Sequence, residues 1–301
     1  MSNAAANGAS EELNRSLSLD SLFSVKGLVA VVTGGGTGIG LMCTQALAAH
    51  GAKVYITGRR ADALNKATEN YHKHAKGEII GIQADVTSKE DLERLVRQIT
   101  EKEPNGIQIL INNAGIAGPK SNIAHQDRPI EEFSGEIIKT ESLEDWDSVW
   151  RTNVSGIYFT TVHFLPLLKL GSNSQSQYRS GVINISSMSG MIKVSQSHFC
   201  YNASKAAAIH LTKMMATDMG NLGIRFNSIA PGYFPSEMPL RFSRGKNDIS
   251  DKFDAAERKV PAGRPGRLEE MAATVLYLCG KGGQYCDGLI LNIDGGVLQY
   301  V

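Results

Sequence analysis

The chain lacks long apolar runs, paired cysteines and any marked excess of one charge. Its apolar stretches are all short, so none has the length that a membrane-spanning helix requires. A formal net charge of +1, with no basic tract, excludes the electrostatic footprint of a nucleic-acid binder or a polybasic membrane contact. The four cysteines, Cys43, Cys200, Cys279 and Cys286, form no CxxC pair and read as reduced thiols of a cytoplasmic protein. His72 and His74 stand near each other without further ligands, so no metal site is expected. There is no internal repeat. Residues 1–20 are rich in Ser, Asn, Ala and Glu and lack the apolar core of a secretory signal. They read as a disordered tail, leaving 21–301 as one folded domain. The closing residues Leu298 to Val301 match neither an endoplasmic-reticulum nor a peroxisomal address.

What the chain does have is 42% hydrophobic residues, enough for a sizeable core, and a repeating pattern. Seven short runs rich in Val and Ile alternate with amphipathic stretches: Val29 to Val32, Lys53 to Thr57, Ile79 to Gln83, Ile107 to Asn112, Val182 to Ile185, Arg225 to Ile229 and Leu289 to Ile293. This alternation predicts an α/β fold, a doubly wound parallel sheet of seven strands in a single domain. Right-handed crossovers would place a ligand crevice at the carboxyl ends of the strands.

Between the first run and the next helical stretch lies Thr33 to Gly40, TGGGTGIG. Gly34, Gly38 and Gly40 suit a tight turn, a close backbone approach to a pyrophosphate and close packing of helix on strand. Thr37, Ile39 and the amides around them would face the phosphates at a helix N-terminus. The order of strand, glycine turn and helix fits a Rossmann-type nucleotide site and equally a plain turn. No Gly-Lys-Ser/Thr ending follows, which excludes an ATP-binding P-loop.

The other strand ends carry polar residues. The second run ends in Arg59-Arg60, where a site for the unphosphorylated dinucleotide would place an acid. Two guanidinium groups there suit a 2′-phosphate, or else simply begin a solvated helix. After the third run, Asp85, followed by Val86, is placed either to accept from an adenine amino group or to cap the next helix. After the fourth, Asn113-Ala114-Gly115 lets the backbone pass close to a ligand, while the amides tie neighbouring strands together. Two long segments have no regular pattern. Residues 116–145 read as a functional loop or a surface insertion, and 235–264, with Arg241 and Arg244, as a lid over the substrate site. Gly171 to Ser180 reads as a polar surface loop.

The fifth run ends in a serine string, Ser186-Ser187-Met188-Ser189-Gly190, and is followed by Tyr201 and Lys205, one helical turn apart on one face. A neighbouring cation favours a phenolate, so Lys205 is expected to lower the Tyr201 pKa and fit it for proton transfer at an alcohol or carbonyl. Asn153, inside the helical stretch Trp146 to Leu170, is mildly unfavourable there and calls for a specific role.

TGGGTGIG, NNAG, Asn153, the serine string and Tyr201-Asn202-Ala203-Ser204-Lys205, in that order, resemble the short-chain dehydrogenase/reductase family over Leu22 to Tyr300. Local strings, Val182 to Ser187 and Ala230 to Ser236, are similar to the ketoacyl reductases of bacterial rhamnolipid synthesis and their fungal relatives. The resemblance implies a nicotinamide cofactor, here NADP(H), and a catalytic tetrad of Asn153, Ser187, Tyr201 and Lys205. Ser187 is chosen because it alone fits Ser-x-x-Gly. Tyr201 is then the proton donor and also a cofactor contact, Lys205 binds the nicotinamide ribose, and Asn153 holds a water in a proton relay. Pro231, Gly232, Phe234 and Ser236 would line the nicotinamide, with Ser in place of the commoner Thr. The expected activity is hydride transfer between NADP(H) and a ketone or secondary alcohol by a homodimer or homotetramer. A fold-sharing isomerase or dehydratase, and an NADP-binding sensor without turnover, are the alternatives.

Overall fold

A computed structural model describes residues 3–121, 123, 128–174, 178–235 and 260–300, with the side chains of 3–9 left aside. In chain order its elements are α1 (Asn3–Ser16), α2 (Leu19–Leu22), β1 (Val29–Thr33), α3 (Gly38–Ala49), β2 (Lys53–Gly58), α4 (Ala61–Tyr71), β3 (Glu78–Gln83), α5 (Lys89–Lys102), β4 (Ile109–Asn112), α6 (Ile130–Thr140), α7 (Leu143–Trp150), α8 (Gly156–Ser174), β5 (Gly181–Ile185), α9 (Phe199–Met219), β6 (Arg225–Pro231), α10 (Leu268–Cys279) and β7 (Ile290–Ile293). All seven strands are parallel, in the order β3-β2-β1-β4-β5-β6-β7.

The strands are continuous apolar runs because both faces of a parallel sheet are covered. Side chains alternate along each strand between two cores. Val32, Ile109, Ile111, Ile183 and Ile185 pack with Leu47 of α3, Leu64 of α4 and Val275 of α10. Their neighbours Val31, Leu110 and Val182 pack on the other face with Ile99 of α5, Phe164 of α8 and Met215 of α9. The chain reverses direction of winding between β1 and β4, and the crevice at that switch opens at their carboxyl ends.

Three expectations differ from the structure. The opening residues are helical at α1 and α2, though residues 10–20 lie exposed and add nothing to the core. Ala, Glu and Leu without proline favour a helix even where no packing rewards it, and Ser18 caps α2 by accepting from Ser21 N. The segment 116–145 contains α6 and the start of α7; Ser142 caps α7 through Asp145 N. The loop expected from Gly171 begins later, since α8 runs on to Ser174. Gly171 sits inside that helix because a Cβ there would stand 1.9 Å from the Ile107 carbonyl oxygen. Among the described residues, no helix is long and apolar enough to cross a membrane.

Candidate active site

The glycine turn forms where β1 meets α3. Gly34 and Gly38 have φ of +63° and +55°, conformations that cost a residue with a Cβ. Gly40 is required by space, since a Cβ there would stand 2.2 Å from the Gly34 carbonyl oxygen and 2.3 Å from Asn113 Nδ2. Thr37 is the N-cap of α3, yet its side chain accepts from none of the helix amides. Its Oγ1 accepts instead from Arg60 Nη2 at 3.1 Å. The opening amides of α3, including those of Ile39 and Gly40, are thereby left for an anion at a helix N-terminus.

Asn113-Ala114-Gly115 is strapped to this turn. The amides of Asn113 and Ala114 both donate to Thr33 Oγ1, at 2.9 and 3.0 Å, and Asn113 Nδ2 donates to the carbonyls of Thr33 and Gly34. Asn112 Nδ2 reaches Asn184 Oδ1 at 2.9 Å, joining β4 to β5. The expected tying role of these amides is thus met. Thr33 was not among the expected site residues; a hydroxyl at the last position of a buried strand was the available signal.

Arg59 and Arg60 are both exposed after β2, and Arg60 turns toward the glycine loop. The two readings of Asp85 now separate. Ser88 caps α5 by accepting from Asp91 N, while Asp85 Oδ1 accepts from Thr87 N and Oγ1 in a turn ahead of it. Asp85 is therefore not the cap of α5. Val86 beside it is buried. His72 Nδ1 accepts from the Ile79 amide, a bond within the fold.

Asn153 lies in a π-helical turn, Arg151–Ser155, between α7 and α8, and is fully buried. The wider turn explains how an asparagine is accommodated there, and such turns gather at functional sites. Its Oδ1 accepts from Ile116 N, and its Nδ2 donates to the Ile116 carbonyl and to Ser204 Oγ at 3.0 Å. Ser204 Oγ in turn donates to the Tyr201 carbonyl at 2.7 Å, so this unforeseen serine joins Asn153 to α9. A Cβ on Gly115 would stand 3.2 Å from Asn153 Oδ1 and 3.6 Å from Lys205 Nζ. The glycine thus brings the post-β4 chain, the π turn and α9 to one point.

Of the three serines after β5, Ser186 is spent within the sheet, pairing with Ser228 Oγ at 2.7 Å. Ser189 contributes its amide, donated to Ser187 Oγ at 3.1 Å. Ser187 remains as the hydroxyl beside Tyr201. Gly190 completes the pattern, because a Cβ there would stand 2.6 Å from the backbone of Lys205 and Ala206, and only glycine lets the turn seat against α9.

Lys205 is 4% exposed, donates to the Ile185 carbonyl at 2.8 Å and stands 5.6 Å from the centre of the Tyr201 ring. Here the expected pKa effect is corrected. Loss of solvent around the hydroxyl pushes Tyr201 up to about 12, while the Ser187 hydroxyl works weakly the other way. Burial pushes Lys205 down to about 8. Burial of the phenol outweighs the neighbouring hydroxyl, and Lys205, bonded to the Ile185 carbonyl rather than to a carboxylate, has no counter-ion to oppose its own desolvation.

At the end of β6, Gly232 donates to the Ile293 carbonyl, and a Cβ there would stand 2.7 Å from Asp294 Cα. The Phe234 side chain is buried, with its ring against Gly266. Ser236, Arg241, Arg244 and most of the expected lid lie outside the described residues. Cys200 is buried, consistent with packing.

The family described as enoyl-(acyl carrier protein) reductase matches residues 34–298. The chain is 41% identical over 291 residues to the short-chain dehydrogenase/reductase PhomF of Diaporthe leptostromiformis, covering 96% of this chain and 98% of that protein. It is 34% identical over 274 residues to the rhamnolipids biosynthesis 3-oxoacyl-acyl-carrier-protein reductase of Pseudomonas aeruginosa, covering 91% and 97%. Among solved structures it is similar to the Pseudomonas aeruginosa RhlG/NADP active-site complex, with a TM-score of 0.79, 32% identity and coverage of 92% and 98%. With the ordered motifs brought together at the strand ends, these likenesses place the chain in the short-chain dehydrogenase/reductase family.

Proposed function

We propose that the protein is an NADP(H)-dependent oxidoreductase that interconverts a ketone and a secondary alcohol, with Tyr201 as the general acid and base. The observation that carries this reading is that Asn153 and Lys205 meet at Gly115, with the Tyr201 ring beside Lys205 and the Ser187 hydroxyl on Tyr201, next to a glycine turn whose space a single Cβ would fill. NADP(H) is favoured over NAD(H) by Arg59 and Arg60 where an acid would otherwise stand, and by the NADP named with the Pseudomonas aeruginosa relative.

The chain's residues divide the work. Gly34, Thr37, Gly38, Ile39 and Gly40 would hold the pyrophosphate, Arg59 and Arg60 the 2′-phosphate, and Asp85 and Val86 the adenine. Asn113, Ala114 and Gly115 would lie along the cofactor beyond the phosphates, and Pro231, Gly232, Phe234 and Ser236 would line the nicotinamide. When bound, the dinucleotide supplies or takes up the hydride. Tyr201, neutral across the physiological range, gives its proton to the carbonyl oxygen in reduction. Ser187 donates a hydrogen bond to the same oxygen and stabilises charge as it develops. The Lys205 ammonium would orient the ribose and stabilise the anion left on Tyr201, and Asn153 would hold a water that links Lys205 to solvent.

Trp150 of α7, Tyr158 and Phe159 of α8, and Phe199 and Met214 of α9 are exposed apolar residues available to the proposed dimer or tetramer, which light scattering would size. The four free thiols support a cytoplasmic setting. The central test follows NADPH absorbance with a panel of ketones. Consumption that disappears in Tyr201→Phe supports the reading; turnover that survives the substitution, or none with any ketone, overturns it. An isomerase or dehydratase would convert substrate with no net change in that absorbance, and a sensor would bind NADPH alone.

A further inference from the structure

Among the described residues, only Gln196 and Ser197 combine a side chain with left-handed backbone, at φ of 52° and 62°. Two such residues in succession are strained, so their surroundings must hold them. Ser197 N donates to Ser195 Oγ, and the Ser197 carbonyl accepts from the amide of buried Ser121 at 2.8 Å. Asn202 Nδ2 donates to the Ser195 carbonyl at 3.0 Å, and Gln196 Nε2 donates to the Tyr233 hydroxyl at 3.0 Å. These bonds join the loop between β5 and α9 to the chain after β4, to the first turn of α9 and to the chain after β6. All three lie at the carboxyl ends of adjacent strands, and Tyr201 follows Gln196 by five residues.

We infer that Gln196 is a specificity-determining residue: its bond to Tyr233 latches the β5–α9 loop to the post-β6 chain across the substrate entrance, favouring carbonyls on a slim chain over those fused to rings. The inference rests on the oxidoreductase reading above. The left-handed backbone at Gln196 and Ser197 is held in place by these bonds, so cutting one lets the loop relax away from this conformation. One hydrogen bond of this kind shifts an open and closed equilibrium by roughly fivefold, which ranks substrates by width without stopping turnover.

The experiment compares wild type, Gln196→Ala, Tyr233→Phe, the double variant and Gln196→Glu. The last replaces the donating amide by a carboxylate that accepts from the Tyr233 hydroxyl, so the bond is kept with its direction reversed. Ethyl acetoacetate is the slim ketone and α-tetralone the ring-fused one, with NADPH as reductant. Gln196→Ala and Tyr233→Phe should each raise kcat/KM for α-tetralone relative to ethyl acetoacetate by about fivefold. The double variant should gain no more than either single one, and Gln196→Glu should resemble wild type. Hydrogen exchange over residues 194–198 reads the latch without turnover and should quicken in the two single variants. Faster exchange in a protein that turns over neither ketone supports the latch while the oxidoreductase reading fails. Unchanged exchange, or an unchanged substrate ratio in an active protein, overturns the latch.

Discussion

Lys205 Nζ donates to the Ile185 carbonyl at 2.8 Å while standing 5.6 Å from the centre of the Tyr201 ring. The cation is therefore anchored to the end of β5, and its distance from the phenol is set by the strand. Burial brings its pKa down to about 8, so the ammonium is present below that pH and lost above it. Reductive kcat/KM should accordingly be level on the acid side of about pH 8 and fall on the alkaline side. Lys205→Arg, which keeps its charge, should move the break upward; a pH profile that keeps the same break would count against Lys205 as its source.

The same two groups act in opposite senses on stability. The depressed Lys205 pKa means that the unfolded chain binds more protons between about pH 8 and the ordinary lysine value, so this residue adds stability as pH rises through that window. The raised Tyr201 pKa, about 12, removes stability from the ordinary tyrosine value upward, because the unfolded phenol ionises first. Denaturant titrations of wild type and Lys205→Met between pH 7 and pH 9.5 should show the lysine variant gaining least from the rise in pH.

Tyr201→Phe should lower kcat by roughly 10²- to 10⁴-fold, the range for loss of a positioned general acid. Ser187→Ala should lower it by roughly 10²-fold, as for removal of one donor to a developing oxyanion. Neither contributes to the glycine turn, so NADPH affinity by fluorescence titration should stay within a few fold of wild type.

Arg60 bridges the end of β2 to the glycine turn through Thr37. Replacing Arg59 and Arg60 together by Ala should weaken NADPH binding by about tenfold to a hundredfold, as expected for charge-assisted bonds, and NADH binding by far less. Isothermal titration with the two dinucleotides gives the ratio.

Arg225 is 1% exposed, and its guanidinium donates to the carbonyls of Arg179, Leu278, Gly283 and Cys286. It closes the end of α10 onto β6, far from the chemistry. Arg225→Met removes the donors and leaves those carbonyls buried, at a cost of about 3 kcal/mol or more. The thermal midpoint should fall by roughly 5 °C or more for a domain of this size, with kcat at low temperature little changed.

Much of this was legible in the chain. The seven Val- and Ile-rich runs are strands because a parallel sheet buries both faces, and the end points differ by only a residue or two. Gly34, Gly40 and Gly190 stand where a Cβ would collide with Asn113 or with the backbone of Gly34, Lys205 and Ala206, so glycine at those positions is readable from the spacing of the motifs. Ser186 pairs with Ser228 inside the sheet, whereas the Ser187 hydroxyl accepts from the Ser189 amide beyond the end of β5, a difference that follows from strand alternation. Helix α6 and the far end of α8 were less legible, because their polar faces look like loop composition when the packing partner is unknown.

The order of motifs, the strand pattern and the residue types at each strand end were determined by the sequence by itself, since they depend on local periodicity and on which side chains a turn tolerates. The direction of the Tyr201 and Lys205 shifts, the burial of Asn153 between Ile116 and Ser204, and the left-handed backbone at Gln196 were decided only by tertiary structure. The physical reason is that desolvation and long-range hydrogen bonding depend on which distant segments close around a group, and nothing in the spacing of neighbours along the chain records that.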